Sequence, residues 1–101
     1  MKAEQGDILR IGRMTQPALV VSNNYFNEEG MVVVCPVEEN GIEGALHINI
    51  QHPSIKGVAL CEQLMLVDLR VRRFSKLGAV THYDVLNITD AVMSIFDYQV
   101  Y

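Results

Sequence analysis

The sequence lacks the features that mark membrane-spanning, secreted and metal-binding proteins. No apolar run approaches the roughly 20 residues that a membrane-spanning helix needs, and residues 1–12 carry no apolar segment followed by a cleavage site. The two cysteines, Cys35 and Cys61, each end an apolar run without the close spacing of a metal motif, and the three histidines are scattered. We therefore expect packed, free thiols, a cytoplasmic location away from the membrane, and no metal or other cofactor.

Positive charge is also scarce. The chain has 8 lysines and arginines against 12 aspartates and glutamates, a net charge of −4. This balance argues against a protein that coats nucleic acid, because such affinity comes from neutralising phosphates. Half of the positive charge, however, lies within residues 70–76, at Arg70, Arg72, Arg73 and Lys76. One interpretation is a local phosphate-binding patch, and the other is a strand edge kept charged against aggregation.

The size and hydrophobicity of the chain bear on its assembly. Its 101 residues fit one domain, 1–101, which is long enough to bury a core without disulfide or metal support. Hydrophobic residues make up 50% of the chain, a high share for a small monomer. We therefore expect a homodimer, in which a second copy covers part of the apolar surface.

Seven segments have the pattern of β-strands. They lie at 7–12, 17–22, 31–37, 45–50, 57–61, 64–69 and 74–80. The valine-rich third segment has the continuous apolar pattern of a strand buried on both faces. The fourth segment alternates, which directs His47 away from the apolar face and leaves it free to titrate near neutral pH, with no partner evident in the sequence.

The pattern changes to a helical one at the end of the chain. Thr81 and Asp84 have the spacing of a capping box, in which each side chain accepts a hydrogen bond from the backbone N–H of the other residue. Apolar residues then recur at helical spacing at Val85, Ile88, Val92, Ile95 and Phe96. The sequence thus predicts a mostly-β fold with a C-terminal helix, built as a small barrel against which the helix packs.

Several short segments, in a fixed order, carry a family resemblance. They read Gly-Asp-Ile at 6–8, Pro-Ala-Leu-Val-Val-Ser-Asn at 17–23, Phe-Asn at 26–27, Val-Val-Cys-Pro-Val at 33–37 and Gly-Val-Ala-Leu-Cys-Glu-Gln at 57–63. Leu-Val-Asp-Leu-Arg at 66–70, Arg73, Leu-Gly at 77–78 and the final helix complete the pattern. In this order, over essentially the whole chain, they resemble the PemK/MazF family of toxin–antitoxin toxins.

The resemblance implies an SH3-like β-barrel of the CcdB/PemK/MazF type with a C-terminal helix, acting as a homodimer. Members of that family are endoribonucleases that cut single-stranded mRNA, inhibit growth and are held inactive by a cognate antitoxin. They work without a metal, because an acid and a base promote attack of the ribose 2′-OH on the neighbouring phosphate. Such chemistry needs a proton acceptor, a proton donor and positive charge near the phosphate.

Three positions depart from the family pattern. Gln16 stands where the family usually has a catalytic arginine before the second strand, and Arg13 lies three residues earlier. Glu38 stands where the family prefers a threonine or serine. Leu60 stands where some members pair an arginine with the carboxylate that this chain keeps as Glu62.

These comparisons define the candidate site. Glu62 and Arg13 are the candidates for acid–base work. Gln16, Glu38 and Gln63 are the candidates for lining the site, and Arg70, Arg72 and Arg73 for holding phosphate. For each of these residues an ordinary structural role, such as a solvated turn or a charged strand end, is the alternative interpretation.

The departures also support a rival function. A barrel that has lost its catalytic arginine and threonine would serve as a dimeric binding module, for an antitoxin peptide, a nucleic acid or a gyrase-like protein. The intact Cys-Glu-Gln segment at 61–63 favours the enzyme, and the acidic net charge favours the module. RNA cleavage by the purified protein separates the two.

Overall fold

A computed structural model describes residues 2–98 and shows seven strands and two helices within them. The strands are β1 (Asp7–Ile11), β2 (Ala18–Val20), β3 (Met31–Glu38), β4 (His47–Asn49), β5 (Val58–Leu60), β6 (Met65–Asp68) and β7 (Phe74–Ala79). The helices are α1 (Asn24–Asn27) and α2 (His82–Ser94). Each strand lies within the segment predicted for it, or extends beyond it by one residue, and the C-terminal helix is confirmed.

The strands form one antiparallel sheet organised around β3. The order is β4-β5-β3-β2-β1-β7, and β6 pairs with β3 beside β5. Val34 pairs with Val20 of β2 and with Met65 of β6, so these two strands lie on opposite edges of β3. The far end of β3 pairs with β5 through Val37 and Glu38. One long strand therefore joins all parts of the sheet.

Alternate residues of the central strands enter two different apolar clusters. Ile8 and Leu19 belong to a cluster that includes Ile88 of α2. Leu9 and Val20, their neighbours in sequence, belong to the other cluster. The strands are thus buried on both faces, as the valine-rich sequence of β3 predicts. The mostly-β fold with a C-terminal helix is confirmed.

Only one of the two hydrogen bonds of the capping box predicted for α2 is present. The Thr81 hydroxyl accepts a hydrogen bond from the N–H of Asp84 (3.1 Å), as expected. The Asp84 carboxylate, which is buried, accepts instead from the N–H of Gln51 (2.7 Å) in the loop after β4. A carboxylate at the start of the helix therefore fixes the helix to the sheet, a contact between residues 33 positions apart that sequence spacing does not reveal.

After β2, the residues Asn23 and Asn24 begin a short helix. Asn23 is the N-cap of the four-residue helix α1, and its side chain accepts a hydrogen bond from the N–H of Phe26 (2.9 Å). Asn residues suit both turns and N-caps, so the sequence alone did not distinguish them.

The two cysteines are free and buried, as predicted, and both lie in the apolar cluster that contains Ile88. A hydrogen bond with Cys61, together with burial, raises the pKa of the Cys35 thiol far above its ordinary value. Within residues 2–98, no helix is long and apolar enough to cross a membrane.

Candidate functional site

The short connection between β1 and β2 forms one wall of a groove. We name it the Arg13 groove; it has a volume of about 370 Å³ and is lined by Arg13, Met14, Thr15, Gln16, Pro36, Gln63, Leu64 and Met65. The turn is tight, because Met14 donates its N–H to the Ile11 carbonyl (3.0 Å) and Arg13 has a φ of +74°, in the left-handed region. The structure thus brings together three of the candidate residues, Arg13, Gln16 and Gln63.

Arg13 also borders a second groove, on the side of the loop that follows β6. This groove, of about 530 Å³, is lined by Gly12, Arg13, Val71, Arg72 and Arg73. The Arg73 carbonyl accepts from the Gly12 N–H (2.8 Å), and the Arg72 guanidinium donates to the Gly12 carbonyl. Three arginines from two loops therefore surround one surface, which concentrates positive charge on an acidic protein.

Arg70 does not join this surface. Its guanidinium makes two hydrogen bonds of 2.9 Å with the Asp68 carboxylate, and it lies against a different groove with Gly30 and Leu69. These bonds lower the pKa of Asp68. The segment 70–73 is a turn, not a strand, so the extended geometry that would put Arg70 and Arg72 on one face is not present.

Glu62 is held by a partner that the sequence did not indicate. Its two carboxylate oxygens each lie 3.0 Å from Nε2 of His47, and the other ring nitrogen, Nδ1, lies 3.2 Å from the Ile42 carbonyl. The hydrogen bond between the two side chains raises the pKa of His47 and lowers that of Glu62. The side chains are 35% and 37% exposed, so a ligand can reach both.

Sheet register explains this pair. His47 of β4 is directly opposite Leu60 of β5, and the Leu46 carbonyl accepts from the Cys61 N–H (2.9 Å). Glu62 follows two residues after Leu60 and so lies diagonally across from His47. The outward direction predicted for His47 was the one available signal, but the pairing of β4 with β5 was needed to place Glu62 beside it.

Two positions at which this chain departs from the family pattern lie away from the Arg13 groove. Glu38 is exposed at the end of β3, where its carbonyl accepts from the Gly41 N–H (3.2 Å), and it is not among the described residues that line the groove. Leu60 is buried at 4% exposure, so its side chain belongs to the core.

A third groove runs between α2 and β4, and we name it the α2 groove. It has a volume of about 560 Å³, and it is lined by Glu43, Gly44, Ala45, His47, Ile48, Asn49, Gln51, Tyr83, Asp84, Asn87, Asp90, Ala91 and Ser94. His47 lines this acidic groove and also contacts Glu62, so it belongs to both. Among residues 2–98, no group of three or more His, Cys, Asp or Glu side chains is arranged to hold a metal ion.

Comparisons with known proteins agree with this architecture. A family model for the PemK-like, MazF-like toxin of type II toxin–antitoxin systems matches residues 6–96. The endoribonuclease toxin ChpB of Escherichia coli (strain K12) is 28% identical over 90 residues, which cover 74% of this chain and 78% of that protein.

Solved structures of toxins have the same fold. A chain of the MazE–MazF crystal structure (Form-I) from Deinococcus radiodurans superposes with a TM-score of 0.85 and 20% identity, over 95% of this chain and 97% of that one. A chain of an endoribonuclease in complex with its cognate antitoxin, from a mycobacterial species, superposes with a TM-score of 0.80 and 19% identity, over 93% and 94%. At these identities the likeness shows the fold.

Proposed function

Because this chain belongs to the PemK-like, MazF-like toxins of type II toxin–antitoxin systems, we propose that it is the toxin of such a pair and cuts single-stranded RNA by metal-free acid–base catalysis. The observation that carries the proposal is the Arg13 groove. There, Arg13 and Gln16 from the loop after β1 and Gln63, which is 47 positions after Gln16, line one surface. An arginine with two amides beside it suits a phosphodiester backbone and its bases.

The groups that the reaction requires are available around this surface. Arg13, Arg72 and Arg73 supply positive charge for the phosphate and for its developing charge in the transition state. Glu62 adjoins Gln63 in sequence, and its carboxylate is the base that accepts the proton of the 2′-OH. Gln16 and Gln63 hydrogen-bond to the bases or the sugar. We assign no role here to Glu38, which does not line the Arg13 groove, or to Arg70, which is held by Asp68.

The exposed apolar side chains of the C-terminal segment bear on the partners of the chain. The apolar side chains of Leu86 and Met93 on α2, and of Phe96 just after it, are 51%, 61% and 65% exposed. Apolar side chains exposed on this scale are expected to be covered by protein, either a second copy of the chain or its antitoxin. We propose a cytoplasmic homodimer that an antitoxin peptide holds inactive.

The test is incubation of purified, antitoxin-free protein with a long single-stranded RNA in EDTA. We expect the wild type to cut the RNA and Glu62→Gln to cut about 100- to 10,000-fold more slowly, the range that a general acid or base contributes. Glu39→Gln is the matched control, because Glu39 is an exposed carboxylate in a turn. Intact RNA after incubation with the folded wild type would refute the proposal.

A second candidate function, a dimeric binding module without catalysis, is favoured by one specific observation. The cation that some relatives place beside the carboxylate is replaced by Leu60, which is part of the core. RNA binding without cleavage in the same experiment would support the module. Loss of RNA binding as well would direct the search to a protein ligand, such as an antitoxin or a gyrase-like protein.

A further inference from the structure

We propose that His47 is the general acid of this site, which protonates the leaving 5′-oxygen while Glu62 accepts the proton of the attacking 2′-OH. The inference rests on the proposed ribonuclease function and adds to it the proton donor. It starts from the 3.0 Å contact between Nε2 of His47 and the Glu62 carboxylate.

The hydrogen bonds of His47 indicate its protonation state. The Ile42 carbonyl can only accept, so Nδ1 carries a proton when it makes this 3.2 Å bond. An ionised carboxylate also only accepts, so Nε2 carries a proton as well. With both nitrogens donating, the ring is an imidazolium ion. The hydrogen bond with Glu62 raises the pKa of His47, which favours this charged state.

The backbone holds both groups in place. β4 pairs with β5 from His47 onward, and the Leu46 carbonyl just before His47 accepts from the Cys61 N–H (2.9 Å). Gln63 donates its N–H to the Leu60 carbonyl (3.0 Å), which closes the turn that carries Glu62. This turn presents Glu62 to His47, and its next residue, Gln63, to the Arg13 groove. RNA bound in the Arg13 groove at Gln63 therefore lies against the turn that also carries Glu62.

The proton transfers balance within the pair. The 2′-oxygen gives its proton to Glu62 and forms a bond to phosphorus, the bond from phosphorus to the 5′-oxygen breaks, and the 5′-oxygen takes the Nε2 proton of His47. The products are a 2′,3′-cyclic phosphate and a 5′-hydroxyl. The pair now consists of a protonated Glu62 and a neutral His47. Transfer of one proton across their direct contact restores the starting state without another reactant.

Other titratable groups face His47 and enter its pH dependence. From the turn after β5 come Glu62 and the Cys61 thiol; Glu43 comes from the loop before β4. From α2 come Tyr83, Asp84 and Asp90, of which Asp84 is engaged by the Gln51 N–H. The Glu62 carboxylate favours the charged imidazolium, so cleavage should decline at a pH above the ordinary His value of 6.5.

The test uses an RNA in which sulfur replaces the bridging 5′-oxygen at one cleavage site. A thiolate leaves without protonation, so this substrate needs no general acid. On ordinary RNA we expect His47→Gln to cut about 100- to 10,000-fold more slowly than the wild type. On the sulfur substrate we expect His47→Gln to match the wild type and Glu62→Gln to stay slow. His82→Gln is the control, because His82 is exposed in the first turn of α2.

The outcomes separate this inference from the proposed function. Cleavage by the wild type with no defect in His47→Gln, or with a defect that sulfur does not rescue, overturns the role of His47 and leaves the ribonuclease standing. No cleavage of either substrate by the wild type overturns both. If His47→Gln does not fold, the pH profile of the wild type tests the inference. The rate of cleavage must decline at high pH on ordinary RNA, and it must not decline on the sulfur substrate.

Discussion

Asp84 gives the sharpest test of how the helix is attached to the sheet. Its carboxylate is 1% exposed and accepts from the N–H of Gln51, while its own N–H is capped by Thr81. Replacement by alanine removes the acceptor and leaves the Gln51 N–H without its partner. Replacement by asparagine keeps an oxygen of similar position and removes only the charge.

The two changes should therefore differ in cost. A hydrogen bond to a charged group contributes about 1.5–3 kcal/mol, so we expect Asp84→Ala to lower the free energy of unfolding by about 2–3 kcal/mol. Asp84→Asn should cost about 0.3–1 kcal/mol, the interaction of a carboxylate with a helix N-terminus. For a domain of this size, about 1 kcal/mol corresponds to roughly 4–8 °C in Tm, so alanine should lower Tm by about 10 °C or more.

Urea unfolding and thermal melting, at one protein concentration for all variants, measure these differences. Asp90→Ala is the control, since Asp90 is exposed on the same helix and its loss should change stability by less than about 0.5 kcal/mol. The reasoning is refuted if asparagine costs as much as alanine, or if Asp84→Ala is no more destabilising than Asp90→Ala.

Two further predictions concern the site. Arg13→Ala should weaken binding of an uncleavable 2′-deoxy strand and reduce the slope of the log association constant against log salt concentration by about 0.7. Arg70→Ala loses a guanidinium that Asp68 already holds, so it should leave this slope unchanged. Equal slopes for the two variants would contradict the placement of Arg13. The pKa of His47 is raised, so its contact with Glu62 stabilises the fold below pH 6.5, the ordinary His value, and that stability is lost as pH rises through the raised pKa. The pKa of Glu62 is lowered, so the same stability is present above its ordinary value of 4.5 and is lost as pH falls through the lowered pKa. His47→Gln should therefore lose most stability relative to the wild type between about pH 4.5 and 6.5 in urea titrations, and a constant difference from pH 3 to 9 would contradict the ion pair.

The fold could be predicted from local patterns because they are strong here. The continuous valines of β3 and the alternation of β4 each reflect burial that holds wherever the strand lies in the sheet. The contact of Asp84 with Gln51 could not be predicted, because the capping-box spacing describes the helix alone. A local pattern identifies which polar group needs a partner, but the partner depends on what the helix packs against.

The candidate site, like the fold, could be predicted only in part from the sequence. The sequence indicates Arg13, Gln16 and the Cys-Glu-Gln segment as candidates, and the structure places Arg13, Gln16 and Gln63 on one groove. Arg70 was selected on its charge alone, yet Asp68, two residues earlier, holds it. The sequence shows no partner for His47. Its partner is 15 positions away, across a strand pair whose register had not been assigned.

The positions of Gln16 and Leu60 in the structure change what these two substitutions imply for catalysis. A phosphate that undergoes attack by a neighbouring 2′-OH requires a base, an acid and a cation at defined places, whichever residues supply them. Gln16 leaves the groove without charge at one point, but Arg13 supplies a guanidinium to the same groove. Leu60 removes a cation from beside Glu62, and His47, directly opposite Leu60 on the neighbouring strand, contacts the carboxylate at 3.0 Å and supplies a cation there when its ring is protonated. An imidazolium can give up its proton near neutral pH, which an arginine cannot, so this replacement changes the expected pH dependence of the reaction and not only its geometry.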